Sequence, residues 1–348
     1  FENFRRVAPE RKDRNPAKGI VSFTRPVYWP YAKNIHEFFA SEECFRLYVA
    51  RARHVAEAVA DSPALVAVEL WNEFTSTGVP LKATRDWTDR MMVEIQKLYP
   101  RQMVVQNLGS FSEINSFSNY DWLAGLKGNA FLQAHRYQDL GAPMEIVHQP
   151  MDVLCADAIR ELRERRNDLP TFLSEVGAVE SRHAGPSRFY PMDKDGVFLH
   201  DEIFAPFFAG SAGCGQPWHW DHQYIDGNGL WYHFGRFAKA VKGLDPVAER
   251  FRPFHTETQR LRVWGLRGLK TTVLWCRDKR NGWREEFVEG RAPEVVSGEK
   301  LPLSSGAAFD VYLPWEDRSV TVPAGKCLIP DFRRSCVIRF ASDVILGD

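Results

Sequence analysis

The sequence predicts an α/β fold with a parallel sheet, followed by a smaller all-β part. Three observations carry that expectation. Continuous apolar, β-branched runs such as residues 64–70 need both faces covered, as strands of a parallel sheet do. These runs alternate with segments of helical period, the pattern of βαβ units. Beyond about residue 246 the helical period gives way to short segments that alternate apolar and polar, punctuated by Gly, Pro and Asn.

Taken in order, residues 1–40 are rich in Arg, Pro and aromatics, show little period and read as a long loop. A helix is predicted from Ser41, because Phe45, Tyr48, Val49, Ala52, Val55, Ala56 and Val59 share one face; Asp61-Ser62-Pro63 ends it. The run at 64–74 is a strand that stops abruptly in Trp71-Asn72-Glu73. A helix at 84–99 leads to a strand at 102–108, and a short helical piece at 120–126 leads to a strand at 130–137. A helix at 151–165 precedes a strand at 170–176, which ends in Glu175 beside Gly177. A helix at 197–208, a last strand at 213–220 and a closing helix at 230–241 complete the series. The later segments, at 260–264, 271–275, 308–312, 319–322 and 336–340, predict an antiparallel sandwich of about 90 residues. The expected domains are therefore 1–248 and 249–348.

Lys plus Arg and Asp plus Glu are both 45, so no bulk charge points to a nucleic acid or an anionic membrane as partner. No window reaches the roughly 18 apolar residues of a transmembrane helix. No signal segment opens the chain, but Phe1 is not a start Met, so the compartment stays open. The six Cys are scattered singly without metal-ligand spacing and read mostly as buried free thiols; Cys327 and Cys336 are close enough in sequence for a bridge. The 11 Trp exceed what packing alone usually demands, and flat rings that stack on sugar faces are one outlet for the excess.

Two apolar strands a hundred residues apart thus each deliver a Glu where strands of α/β folds open onto solvent, the place where such folds assemble chemistry. A pair of carboxylates on one rim suits acid-assisted cleavage of a glycosidic bond, in which one carboxyl protonates the leaving oxygen and the other, about 5 Å away in a retaining enzyme, attacks. From the residues alone, Glu73 and Glu175 are interchangeable in those parts.

The motifs Trp71-Asn72-Glu73, His135-x-Tyr137, Ser174-Glu175-x-Gly177 and Trp218-His219-Trp220-Asp221, in this order, resemble strands four, six, seven and eight of a clan A (β/α)₈-barrel glycoside hydrolase, nearest to the cellulase and mannanase-like family 5. The resemblance implies a TIM-type barrel followed by a β-sandwich, a retaining two-glutamate mechanism, an oligo- or polysaccharide substrate, and neither cofactor nor metal. It makes Glu73 the acid/base and Glu175 the nucleophile. It makes Asn72 the donor to the sugar 2-hydroxyl, Tyr137 the hydroxyl on the nucleophile and His135 its neighbour. Trp218 or Trp220 would be the platform under the sugar; strand alternation puts both on one face and does not choose between them.

Trp29-Pro30-Tyr31 is similar to the loop after strand three of that family. On this reading strands one to three, with the Arg and His they bring to the nucleophile, have no counterpart upstream. The chain is therefore expected to be an N-terminally incomplete barrel with strands four to eight recognisable, impaired in activity by itself. Asp221, His222 and His219 form a tempting cluster, but adjacent strand residues point in different directions and do not converge on one ion. No Gly-rich phosphate loop or G-x-S-x-G elbow is present. Two competing readings stand beside the enzyme: a carbohydrate-binding protein on the same scaffold that has lost catalysis, and an interaction module whose strand-end acids are incidental.

Overall fold

The computed structural model describes Tyr28 and residues 31–111, 116–301 and 307–343. Trp29 and Pro30, two of the three residues of the expected loop motif, lie outside them. The chain divides into two compact units, one running to Ser110 and resuming over Asn115–Leu132, the other holding Phe111–Ile114 and Gln133–Asp348.

Among the described residues the first helix of this unit is α1 (Ile35–Ala40), inside the stretch read as loop. Asn34 explains it: its side chain accepts from Glu37 N at 2.9 Å, while Glu37 reaches back to Lys33 N at 2.8 Å, a reciprocal cap that six residues of weak period had hidden. Ser41 ends this helix and caps the next, α2 (Glu42–Val59). Strand β1 (Ala67–Glu69) pairs in parallel with β2 (Met103–Val105), with Val68 opposite Val104, and α3 (Leu81–Leu98) connects them. A further helix, α4, spans Ser116–Ala124. Both strands are shorter than the apolar runs that predicted them. Much of the core is aromatic: Trp71 lies 5.3–6.0 Å, centroid to centroid, from Phe38, Phe39, Phe74 and Trp87, mostly edge to face.

In the second unit β3 (Leu132–Asp139) pairs with β4 (Thr171–Val179). Helix α5 (Met151–Arg165) runs between them in sequence, and α6 (Val197–Phe208) packs on both α5 and β4. Arg136 ties β3 to α5: it is fully buried, bonds Asp157 at 2.7 Å and lies over the Phe111 ring. No strand forms at 213–220; a single parallel bridge joins Val176 to Pro217. Val176 N bonds the Gln216 carbonyl at 3.1 Å and Trp218 N the Val176 carbonyl at 2.8 Å, while Gly215 presses so close to α6 that a Cβ there would meet the Glu202 carbonyl at 2.1 Å. Helices α7 (Tyr232–Ala240) and α8 (Pro246–Glu249) follow.

The chain from Arg252 is β-rich, as expected. An antiparallel six-stranded sheet has the order β10-β9-β12-β7-β6-β5, built from β5 (Arg252–Glu257), β6 (Leu261–Arg267), β7 (Thr271–Asp278), β9 (Phe309–Leu313), β10 (Arg318–Val322) and β12 (Ser335–Ala341). A ribbon of β8 (Val295–Val296) and β11 (Phe332–Arg333) forms a separate two-stranded sheet. Alternation gives the large sheet two unlike faces. One holds Val263, Leu274, Val311 and Ile338, in a core shared with Val296 and Phe332 of the ribbon. The other packs on the helices through Trp275 and two buried ion pairs, Arg262 with Asp152 of α5 and Arg277 with Asp201 of α6. The cysteines are free thiols, Cys44, Cys155, Cys276 and Cys336 buried. Cys327 does not bridge Cys336, whose partner in register is Cys276 across β7 and β12.

Candidate active site

In the first unit the chain leaves β1 along a held path. Leu70 donates to the Val105 carbonyl at 2.9 Å and its own carbonyl accepts from the Tyr48 hydroxyl. The Trp71 carbonyl accepts from Gln106 Nε2 at 3.0 Å. The buried Trp71 ring then anchors the turn, so that Asn72 and Glu73 reach a half-buried position. Glu73 itself is left-handed, with φ 50° and ψ 52°, a region that a long side chain adopts at a cost of about 1 kcal/mol. Asn107, at the end of the neighbouring strand, holds it there by accepting from Glu73 N at 3.1 Å. A single 3₁₀ turn (Phe74–Thr77) carries the chain away. Gln106 and Asn107 were missed as site residues, although they are polar residues ending an apolar strand, the same signal that singled out Glu73.

In the second unit, three expected residues come together. The Tyr137 hydroxyl donates to Glu175 Oε2 at 2.7 Å, and His135 Nδ1 lies 3.0 Å from the same oxygen. His135 and Tyr137 are two apart on β3 and so share a face, opposite Arg136 and Gln138. The His135 ring is buried and the Glu175 side chain keeps 14% exposure, enough to meet a ligand. His135 Nδ1 and Glu175 Oε2 are metal-ligating atom types, but here they face each other, and Tyr137 takes the same oxygen.

The glycine of Ser174-Glu175-x-Gly177 has a physical reason that the sequence does not reveal. A Cβ at 177 would lie 3.0 Å from the Tyr190 hydroxyl oxygen, 3.2 Å from His219 Nδ1 and 3.4 Å from the Tyr137 ring. Tyr190 accepts from Ala178 N at 2.6 Å and faces His219 Nδ1 at 3.2 Å. Burial pushes the His219 imidazole down to about 4, so it is neutral near pH 7, and its Nδ1 shares a hydrogen bond with the Tyr190 hydroxyl. Tyr190 and His219 thus form a second layer behind the strand of Glu175. His219 turns inward while His222 is exposed beside Asp221, which separates the three members of the Asp/His cluster.

Trp218 and Trp220 are 53% and 57% exposed. They do not share the face of one strand, because Trp220 N bonds the Trp218 carbonyl at 2.9 Å in a tight turn. Alternation therefore gives no reason to treat the two rings as equivalent platforms.

No protein-family model matches the chain. The protein translocase subunit SecA of Dichelobacter nodosus (strain VCS1703A) is 30% identical over 125 residues, which are 35% of this chain and 13% of that protein. Among solved structures, the hyperthermostable endo-1,4-beta-D-mannanase of Thermotoga petrophila RKU-1 is similar at a TM-score of 0.40 and 19% identity, over 55% of this chain and 57% of its own. A GH30 endoxylanase of Clostridium papyrosolvens C71 is similar at 0.44 and 12%, over 86% and 71%. A cyclomaltodextrin glucanotransferase with a three-domain ABC distribution is similar at 0.50 and 12%, over 89% and 61%. The chain therefore spans 13% of the curated relative and 57% of the mannanase. At 0.50 and 12% identity the likeness to the glucanotransferase is one of fold, not of activity.

Proposed function

We propose that this chain carries the catalytic residues of a retaining glycoside hydrolase acting on β-linked glycans, endo-glucanase or mannanase-like, with Glu175 as nucleophile and Glu73 as acid/base. The observation that carries the reading is the pair of donors on one oxygen of Glu175, from Tyr137 and His135. Two donors on Oε2 fix the plane of the carboxylate and leave Oε1 to approach the anomeric carbon. Attack forms a covalent glycosyl-enzyme while Glu73 protonates the departing oxygen. Glu73 then takes a proton from the water that releases the sugar. Asn72 donates to the 2-hydroxyl, an interaction that strengthens in the transition state, and the exposed rings of Trp218 and Trp220 offer faces on which sugar units stack. Retention requires the two carboxyl groups to stand about 5 Å apart in the working enzyme.

Hydrolysis of aryl β-glycosides tests the reading. Glu175→Gln is expected to abolish turnover. Glu73→Gln is expected to spare substrates with an activated leaving group and to lose those that need a proton, with azide restoring the first class as a glycosyl azide of retained configuration. Turnover by Glu175→Gln at the parent rate overturns the assignment. The half-exposed Trp218 and Trp220 favour one other reading, sugar binding without catalysis, which binding by a parent protein that turns nothing over would select.

A further inference from the structure

A cavity of about 590 Å³ lies between α5 and the β5 edge of the large sheet. Small-molecule sites run from about 300 to 1,000 Å³. Glu175, His135, Tyr137 and His219 are not among its walls, so it is distinct from the site described above. Val153 and Ala156 of α5 form one side, and Pro253 and His255 of β5 with Trp264 of β6 form the other. Residues two apart on a strand share a face, and His255 stands opposite Trp264 in register, so these three rings front the helix together. The His255 and Trp264 rings lie 4.1 Å apart, centroid to centroid.

The acids in the walls are already answered. Arg160 bonds Glu164 at 2.6 Å and also bonds Asp157, which takes a second bond from Arg136 at 2.7 Å. Arg163 differs. It is half-buried, and no carboxylate among the described residues offsets the burial that pushes its guanidinium below the ordinary value. Its Nη1 donates to the Gly210 carbonyl at 3.1 Å. Its Nε and Nη2 make no hydrogen bond among the described residues, and neither is sealed from solvent.

Gly210 keeps that edge open. A Cβ there would stand 3.2 Å from Arg163 Nε and 2.9 Å from Pro253 Cγ, filling the place where the guanidinium meets the β5 wall. Nε and Nη2 are the two parallel N–H groups that a carboxylate grips with both of its oxygens. The cavity therefore offers a positive fork with no counter-charge beside a wall of rings.

We propose that this cavity binds a small molecule in which a carboxylate is joined to a flat apolar face, the carboxylate on the Nε–Nη2 edge of Arg163 and the face against His255 and Trp264. Sugar acids and aromatic acids share that chemistry; neutral sugars do not. The inference rests on Arg163 and the cavity and is independent of the glycan-hydrolase reading.

Calorimetry on the full chain tests it, with glucuronate and 4-nitrobenzoate as probes and glucuronamide and 4-nitrobenzamide as their neutral counterparts. At least one acid is expected to bind, with its amide weaker by about tenfold or more. The acid that binds tells a saccharide source from an aromatic one. Arg163→Met is expected to weaken that acid about tenfold, and Arg163→Lys, which keeps the charge without the fork, by less. Asn167→Asp sets a negative charge on an exposed wall residue and is expected to weaken the acid about threefold, which decides the matter should Arg163→Met not fold. The proposal is overturned if neither acid binds, if an amide binds as well as its acid, or if the acid binds Arg163→Met as tightly as the parent; unchanged affinity in Asn167→Asp counts equally where that variant stands in. The two readings fail separately, since Glu175→Gln is expected to leave acid binding intact and Arg163→Met to leave aryl β-glycoside hydrolysis intact.

Discussion

At Glu73, backbone and side chain make opposite demands. The left-handed φ of 50° is unfavourable for glutamate, whereas Asn adopts that region more readily. Glu73→Asn is expected to raise stability by about 0.5–1 kcal/mol in denaturant melts and to lose hydrolysis of substrates that need an acid. A variant no more stable than the parent would remove strain as an account of this residue. Tyr137→Phe removes one of the two donors on Glu175 Oε2 and is expected to lower kcat about tenfold to a hundredfold with little change in KM, measured on an aryl β-glycoside. Gly177→Ala forces a Cβ to 3.0 Å from the Tyr190 hydroxyl and is expected to destabilise by about 1–3 kcal/mol. The carboxylates and the His-x-Tyr spacing were legible because reactive side chains stand out against apolar strands. The left-handed turn at Glu73, its support by Asn107 and the crowding at Gly177 were not, because each depends on atoms 13 to 42 positions away in the chain.

At the scale of elements, helices were read closely wherever an apolar stripe ran three turns or more, as in α5 and α6, whose bounds follow the period. Strands β1 and β2 came out shorter than their apolar runs, since pairing ends where a partner ends and hydrophobicity does not, whereas β4 runs on to Val179, past the expected end at 176. The run at 213–220 shows the limit: it packs on α6 at Gly215 and bonds β4 only at Leu173 and Val176, too few pairings for a regular strand. The seam between the large sheet and α5 was invisible to pattern reading, because Arg262 sits in an alternating strand where charge means solvent. Here it meets the fully buried Asp152 with two bonds, at 2.6 and 2.7 Å, and Trp264 adds a third donor at 3.2 Å. Burial opposes the charge on Asp152, but Arg262 and then Arg277 outweigh it and hold the carboxyl below its usual range. Arg262→Met alone, which strands that charge, is expected to cost about 3–5 kcal/mol in chemical denaturation. The double variant Arg262→Met with Asp152→Leu is expected to recover most of the loss; if it does not, the seam is a matter of packing rather than charge.

For the molecule as a whole, buried titrating groups set how stability depends on pH, and they pull in opposite directions. Glu202, in α6 with neither carboxylate oxygen hydrogen-bonded among the described residues, is pushed well above its usual range by burial, then by Asp193 and Asp201. Its contribution is present at low pH and lost as pH rises through that raised value. His219 and His233 are both pushed down to about 4, chiefly by burial, and have the other sign. Around His219, Asp221 opposes the shift, His183 adds to it, and the Tyr190 hydroxyl bonds the ring. An unfolded histidine titrates near 6.5, so between about 6.5 and 4 the unfolded chain binds the proton that the native chain refuses. Stability from His219 is therefore complete above about 6.5 and lost as pH falls toward 4, a loss of about 3 kcal/mol. Because Glu202 masks this in the parent alone, the measurement is a difference. His219→Asn keeps a hydrogen-bonding group facing Tyr190 and removes the titration, so between about pH 7 and about pH 4.5 the parent should lose about 2 kcal/mol more than the variant in denaturant melts. Parallel pH profiles would mean that His219 takes up its proton in the folded protein, and with it that the layer behind Glu175 is open to water.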